Sequence, residues 1–329
     1  MKIKSIKTNF LSTICWFNNS IVDWASAGTQ YFFDRSESKL FSGHFRGAFD
    51  GAITSENGDY MFIYQRLGTK GLLLKNGKLI KEIDRSYYCA GSYEFPAAFV
   101  TLKDNQTYLI YCPFFYNRID FENVETGEII TNVAGRSPSD YFHSRLEISP
   151  DKKYLLCKGW HWHPWSSIRV FDLEACLLNP LLLDVRNMGP AVSTEICTAS
   201  FISSKKILIG SSSEESRDED ETYKLPESSI AIWDIDTDEI SKPITLNFPF
   251  GNLFAINDEY AWDTFDFPKI INIKSGEIVD KYKKIASGKQ DSAFLNTNTP
   301  MIAFDTKTKN LAVSIKNKLF IIHHEIDLP

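Results

Sequence analysis

Basic residues do not outnumber acidic ones in this chain: 36 Lys and Arg face 42 Asp and Glu, a net charge of −6 with His neutral. Binding to a polyanion through counterion release needs a basic field, so neither a nucleic acid nor an anionic membrane surface is expected as the main partner. Long apolar runs are missing as well. No window approaches the roughly 18 to 20 apolar residues of a membrane-spanning helix. The run from Phe10 to Phe17 contains Ser12 and Thr13 and is halted by Asn18, Asn19 and Asp23, which makes a poor secretory leader. Glycine (17) and proline (13) are sparse in 329 residues, leaving no low-complexity linker. The 6 cysteines, Cys15, Cys89, Cys112, Cys157, Cys176 and Cys197, include no CxxC pair and read as reduced thiols packed as small hydrophobes, in keeping with a cytoplasmic protein. A Gly-rich phosphate loop, a G-x-S-x-G elbow and an HExxH helix are all absent. No cofactor is expected.

What the chain has is aromatic side chains, 14% of the total, set in short strand-like runs. These runs are rich in Ile, Val, Phe and Tyr and are closed every few residues by Asn, Asp, Gly or Pro. Sustained helical periodicity is nowhere convincing. One unit is especially clear: Leu146 to Ile148, the turn Ser149-Pro150-Asp151-Lys152-Lys153, Tyr154 to Cys157, a loop from Gly159 to Ser167, then Ile168 to Glu174. Strand, tight turn, strand, loop, strand recurs around Ala199–Asp234, Leu253–Glu277, Gly51–Lys78, Ala98–Glu128, Thr13–Asp34 and Met301–Ile322. Third strands end about 48 residues apart, inside the range of four-stranded propeller blades. One copy is stretched to about 62 residues by the acidic, Ser-rich segment from Ser213 to Glu221, read as a solvated insertion.

The Ser149-Pro150-Asp151 hairpin, Trp233-Asp234 with its relatives Phe171-Asp172 and Phe33-Asp34, and the turns Thr126-Gly127-Glu128 and Ser275-Gly276-Glu277 resemble the WD40-like repeat β-propellers. The likeness implies an all-β, seven-bladed β-propeller forming a single domain. Its blades fall at approximately 11–45, 49–84, 96–133, 145–185, 196–246, 252–284 and 300–324, the last completed by residues 2–9. The seventh copy runs out after its third strand and Lys2 to Asn9 have no other place. Pairing the two closes the ring and removes an unpaired edge. A two-domain β-sandwich is the competing arrangement, and the regular repeat argues against it.

In such a ring the loops joining second to third strands and those joining blade to blade share one face. Collected, they are dense in rings, whereas loops are normally polar. The expected partner-binding residues are Phe45, Arg46, Tyr87, Tyr88, Tyr93, Phe114, Phe115, Tyr116, Arg118, Tyr141, Trp160, His161, Trp162, His163 and Trp165. Rigid apolar rings with a polar handle, together with Arg, dominate interface hot spots. The same rings would alternatively fold down as a satellite core over the channel. His161 and His163 lie on one side of an extended segment, the start of a zinc site. The third ligand, His143, His44 or an acidic residue from a neighbouring loop, is not dictated by spacing, so no metal is assigned.

The resulting expectation is a non-enzymatic, monomeric module that binds an unidentified protein, with an immunity or inhibitor protein neutralising a toxin or effector as its specific form. The alternative is a small-molecule or glycan hydrolase or lyase at the channel mouth. It would stack a sugar on Trp160, Trp162 and Trp165 and draw acid, base or charge from Asp50, Glu94, Asp140, His143, Glu147 or Glu195.

Overall fold

A computed structural model describes residues 1–8, 11–162, 164–185, 189–213, 224–295 and 299–326. The expected acidic insertion falls mostly on 214–223 and lies outside the described residues, as does His163. The turns that punctuate the strands are built alike from blade to blade. In Ser149-Pro150-Asp151 the Ser149 hydroxyl accepts from the Tyr154 amide at 2.8 Å, and Asp151 accepts from the Lys153 amide at 3.1 Å. Ser55 and Asn57 repeat this with the amides of Tyr60 (3.0 Å) and Asp59 (3.1 Å). At the third-strand ends, Asn123, Asp234 and Asn272 each accept from amides two and three residues on. Gly127 and Gly276, at φ 74° and 76°, complete two of these turns in the left-handed region that favours glycine. Asp34 accepts from the Ser36 amide and Asp172 from that of Ala175, so the carboxylates there cap turns.

Seven antiparallel sheets follow in chain order. Blade 1 holds strands Cys15–Phe17, Ser20–Asp23, Thr29–Tyr31 and Glu37–Lys39; blade 2 holds Gly51–Thr54, Tyr60–Tyr64, Lys70–Lys75 and Lys78–Asp84. Blade 3 has Ala97–Thr101, Thr107–Tyr111 and Asp120–Asn123, and blade 4 has Glu147–Ile148, Tyr154–His161 and Trp165–Asp172. Blade 5 comprises Ile196–Phe201, Lys206–Ser211 and Ser229–Asp234, edged by Glu239–Ile240 and Ile244–Thr245. Blade 6 comprises Leu253–Ala255, Tyr260–Asp263, Lys269–Asn272 and Ile278–Lys281. Blade 7 is Met301–Phe304, Leu311–Ile315 and Lys318–His323 with Lys2–Lys7 as its outer strand. The fold is that of a seven-bladed β-propeller. Strand Lys2–Lys7 pairs antiparallel with Lys318–His323 from Lys2 opposite His323 to Lys7 opposite Lys318, closing the ring as expected.

Second strands such as Tyr60–Tyr64 and Thr107–Tyr111 are buried along their whole length. Each sheet has a neighbour on both faces, so these strands are apolar throughout rather than alternating. The core is accordingly divided into clusters that join adjacent blades; one runs from Tyr60 and Phe62 of blade 2 to Leu109 and Tyr111 of blade 3.

Blade 4 departs from the expectation twice. The segment read as a loop from Gly159 to Ser167 is a tall hairpin, with strands continuing to His161 and restarting at Trp165. Where an outer strand belongs, Leu173–Leu178 forms a helix capped by Asp172, so Leu173 and Glu174 are helical instead of extended. Leu173 and Cys176 are its buried residues, which anchor it against the sheet as a strand would.

Candidate functional site

The loop from Arg85 to Phe95 is shaped by one buried cation. Arg85 donates from Nε to the Gly68 carbonyl (2.7 Å) and from a terminal nitrogen to those of Ala90 and Tyr93 (both 2.9 Å). Its guanidinium lies over the rings of Tyr93 (4.5 Å) and Phe95 (5.0 Å). These contacts fix the loop and leave Tyr87 and Tyr88 at its exposed turn.

Opposite stands the blade 4 hairpin. Phe142 and Trp160 exchange backbone hydrogen bonds, Phe142 N–H to Trp160 at 2.9 Å and the reverse at 3.2 Å. Their rings stack at 3.7 Å and 5°. Tyr116 stacks on the other side of Phe142 at 4.4 Å, and Phe294 packs on Trp160 at 4.8 Å. Tyr88 meets Tyr116 at 4.9 Å and Trp162 at 6.1 Å, while Trp162 also stacks along Trp160 at 5.7 Å. Connections from blades 2, 3, 4 and 6 are thereby drawn into one stack. A bridge between Tyr93 and Phe294 and the bond from the Leu295 amide to the Ser92 carbonyl (3.0 Å) tie loops from distant parts of the ring together.

The expected rings therefore divide by depth. Tyr93, Tyr141 and Trp160 are at most 2% exposed and belong to the packed layer, which corrects their assignment to a contact surface. The Tyr141 hydroxyl donates to the Ser167 carbonyl (2.9 Å) and accepts from the Gly159 amide (2.9 Å), with Arg169 over its ring at 3.9 Å. The outer layer is Tyr87 (86% exposed), Phe115 (60%), Trp162 (50%), Phe114 (43%) and Tyr88 (41%). Tyr116, half-buried, links the Phe114–Phe115 turn to Tyr88, and its hydroxyl donates to Asp140 at 2.8 Å.

Arg118 is turned toward its own blade and is largely buried. Its guanidinium pairs with buried Asp120 (2.9 Å), which Arg136 also holds at 2.8 Å, donates to Asn132 (2.6 Å) and lies over Phe114 at 5.0 Å. Phe45 packs on Phe41 in the blade 1 to blade 2 connection, and Arg46 beside it is exposed; neither joins the stack. Trp165 sits half-buried opposite His161 at the hairpin tip. His161 packs edge-on to Tyr141 at 5.0 Å with Nδ1 3.3 Å from the Asp140 carbonyl, and burial holds its pKa below the ordinary histidine value. Phe294 is missing from the rings the repeat picks out. Its only forerunner is the short apolar run Ala293-Phe294-Leu295 between polar stretches.

The groups considered for acid–base work are engaged separately. Glu147 pairs with Lys158 (2.7 Å) and accepts from the Phe201 amide (3.0 Å). Glu195 accepts from the Ser166 amide (2.7 Å), Glu94 from the Tyr64 hydroxyl (3.1 Å), and Asp50 pairs with Arg66 (3.2 Å). His143 is fully enclosed, its pKa pulled down to about 3 by burial and then by Arg169. Its Nε2 is 3.3 Å from the Asn117 carbonyl, which can only accept, and its Nδ1 lies 3.3 Å from the Cys157 Sγ, whose thiol also reaches the Ser144 carbonyl at 3.7 Å. With Trp160 buried, the three tryptophans make no open sugar platform. Among the described residues no three His, Cys, Asp or Glu side chains come together as a metal site.

No protein-family model and no curated protein matches the chain. Among solved structures it is similar to a chain of "Crystal Structure of Mitotic Checkpoint Complex", with TM-score 0.59 and 8% identity over 98% of this chain and 91% of that one. It is also similar to "Streptogramin B lyase structure", with TM-score 0.56 and 11% identity over 98% and 97%. At these identities the likeness is to the propeller architecture.

Proposed function

We propose that this chain is a non-enzymatic protein-binding propeller whose partner seats on Tyr87, Tyr88, Phe114, Phe115 and Trp162. The observation that supports this reading is the division by depth: exposed Tyr88 and Trp162 stack on a packed layer of Tyr93, Phe142, Trp160 and Phe294, and Tyr87, Phe114 and Phe115 are exposed on the adjoining loops. Rings held in place before contact lose little side-chain freedom on binding, and large aromatic anchors carry most of an interface's energy. An inhibitor or immunity protein that caps a toxin or effector in the cytoplasm, acting as a monomer, is the specific form we favour. A rigid, mildly acidic, ring-rich face suits it. The test is quantitative capture from the native lysate with the wild-type chain and with the Trp162→Ala, Phe115→Ala double variant. A partner retained by the first and lost by the second supports the face, and equal retention by both rejects it.

A further inference from the structure

The axis of the ring holds a second feature, separate from the aromatic face. A cavity of about 950 Å³ runs along the innermost strands, and all seven blades supply it with a large apolar side chain: half-buried Trp16, Ile53, Phe99, Ile148, Phe254 and Ile302, and buried Phe201. At about 30 Å³ per molecule such a space would hold on the order of thirty waters, many of them against apolar wall. Small-molecule sites span about 300 to 1,000 Å³ and are lined in this way, with a few polar groups to set orientation.

The polar groups of the cavity are unequal. Lys158 is satisfied by Glu147 at 2.7 Å. Glu56 is held between Lys152 (2.5 Å) and Lys307 (3.8 Å), two lysines that reach it from blades 4 and 7. Asp305 is turned to its own turn, accepting from the Lys307 amide and the Thr308 hydroxyl. Lys309 forms no ion pair among the described residues, and its ammonium lies 5.7 Å from the Phe304 ring centroid. Its backbone is fixed by the Trp262 indole, which donates to the Lys309 carbonyl at 2.8 Å. Burial also pulls its pKa below the ordinary lysine value, outweighing the opposite pull of the Glu147 and Asp305 carboxylates.

We infer that the axial cavity binds an amphipathic carboxylate, its alkyl chain along the apolar wall and its carboxylate against Lys309. Lys152, Lys158, Lys307, Lys309 and Arg145 line the cavity against Glu56, Glu94, Glu147 and Asp305, a small cationic excess that favours an anion over a cation. The apolar side chains along the inner strands give an alkyl chain a wall to lie against.

Sodium decanoate, titrated calorimetrically below its micelle concentration into the purified full chain, tests this. One equivalent should bind and raise the melting temperature. Lys309→Met should weaken binding by about tenfold and Lys309→Arg should restore it, as expected for a desolvated charge-assisted contact. Decyltrimethylammonium, with the same tail and opposite charge, should bind at least about tenfold more weakly than decanoate. Phe115→Ala, on the aromatic face, should leave decanoate binding unchanged, which separates failure here from failure of the partner-binding reading. Absence of decanoate binding at millimolar concentration overturns the inference. So does a folded Lys309→Met variant that binds as the wild type does, or equal affinity for the ammonium probe.

Discussion

Trp160 and Trp162 differ by two positions at the top of one hairpin, yet one is core and the other surface. Height on the hairpin decides: Trp160 lies level with Phe142, and Trp162 passes above it. Truncating the deep rings and the shallow ones should therefore have different consequences. Phe142→Ala or Trp160→Ala should cost about 3 to 5 kcal/mol in urea unfolding, the range for a large buried ring. Phe115→Ala should change stability by less than about 0.5 kcal/mol, as surface substitutions do. Composition alone could not make this division, because a ring that plugs and a ring that protrudes are the same residue until the backbone height is known. The turn residues were legible for the opposite reason. Ser149, Asp151, Asn57 and Asp234 act on amides within a few positions of themselves, so local sequence suffices.

His143 gives the residue scale a pH signature. Its folded pKa, about 3, lies below the unfolded value near 6.5, so the unfolded chain binds the extra proton between the two. Stability from this residue is complete above pH 6.5 and falls as pH drops toward 3, by a few kcal/mol in all. Replacing His143 with Gln should flatten the pH dependence of the urea midpoint across that window. A slope unchanged by the substitution would show that other groups govern acid unfolding.

Among elements, the blade 4 hairpin and the closing strand matter most. Gly159 lets the hairpin pass: a Cβ there would sit 2.0 Å from the Phe142 carbonyl oxygen and 2.8 Å from the Tyr141 ring. Gly159→Ala should separate Phe142 from Trp160, lower the melting temperature by several degrees, and shift the indole fluorescence of the stack. The tall hairpin was hidden in the sequence because Trp-His-Trp-His alternates for only four residues before a proline, too short a run to mark strands extending into the loop. The helix Leu173–Leu178 was hidden because six residues are too few to display a period. Ring closure, by contrast, was readable from arithmetic, since a blade one strand short and a leading strand without a blade must meet. Ile6 is buried opposite Leu319 in that pairing, so Ile6→Asp should free the strand and speed hydrogen exchange along Lys318–His323 ahead of the other blades. Uniform exchange across all seven blades would mean that the closing strand does not limit ring opening.

At the scale of the whole molecule, seven similar sheets provide a rigid ring, and its loops are used unevenly. Loops from blades 2, 3, 4 and 6 are packed into one ring stack that presents aromatic side chains outward. The outer edge of blade 4 exposes apolar groups of its own, Leu178 and Leu181, but these have no packed layer of rings behind them. The two surfaces provide a direct comparison. A photo-crosslinking benzophenone amino acid placed in turn at Phe115, Trp162 and Leu178, expressed in the native cell and irradiated, tests the central claim. The account predicts the same single adduct from positions 115 and 162 and none from 178. Adducts from 178 alone, or no adduct from 115 and 162 in a folded protein, would contradict it.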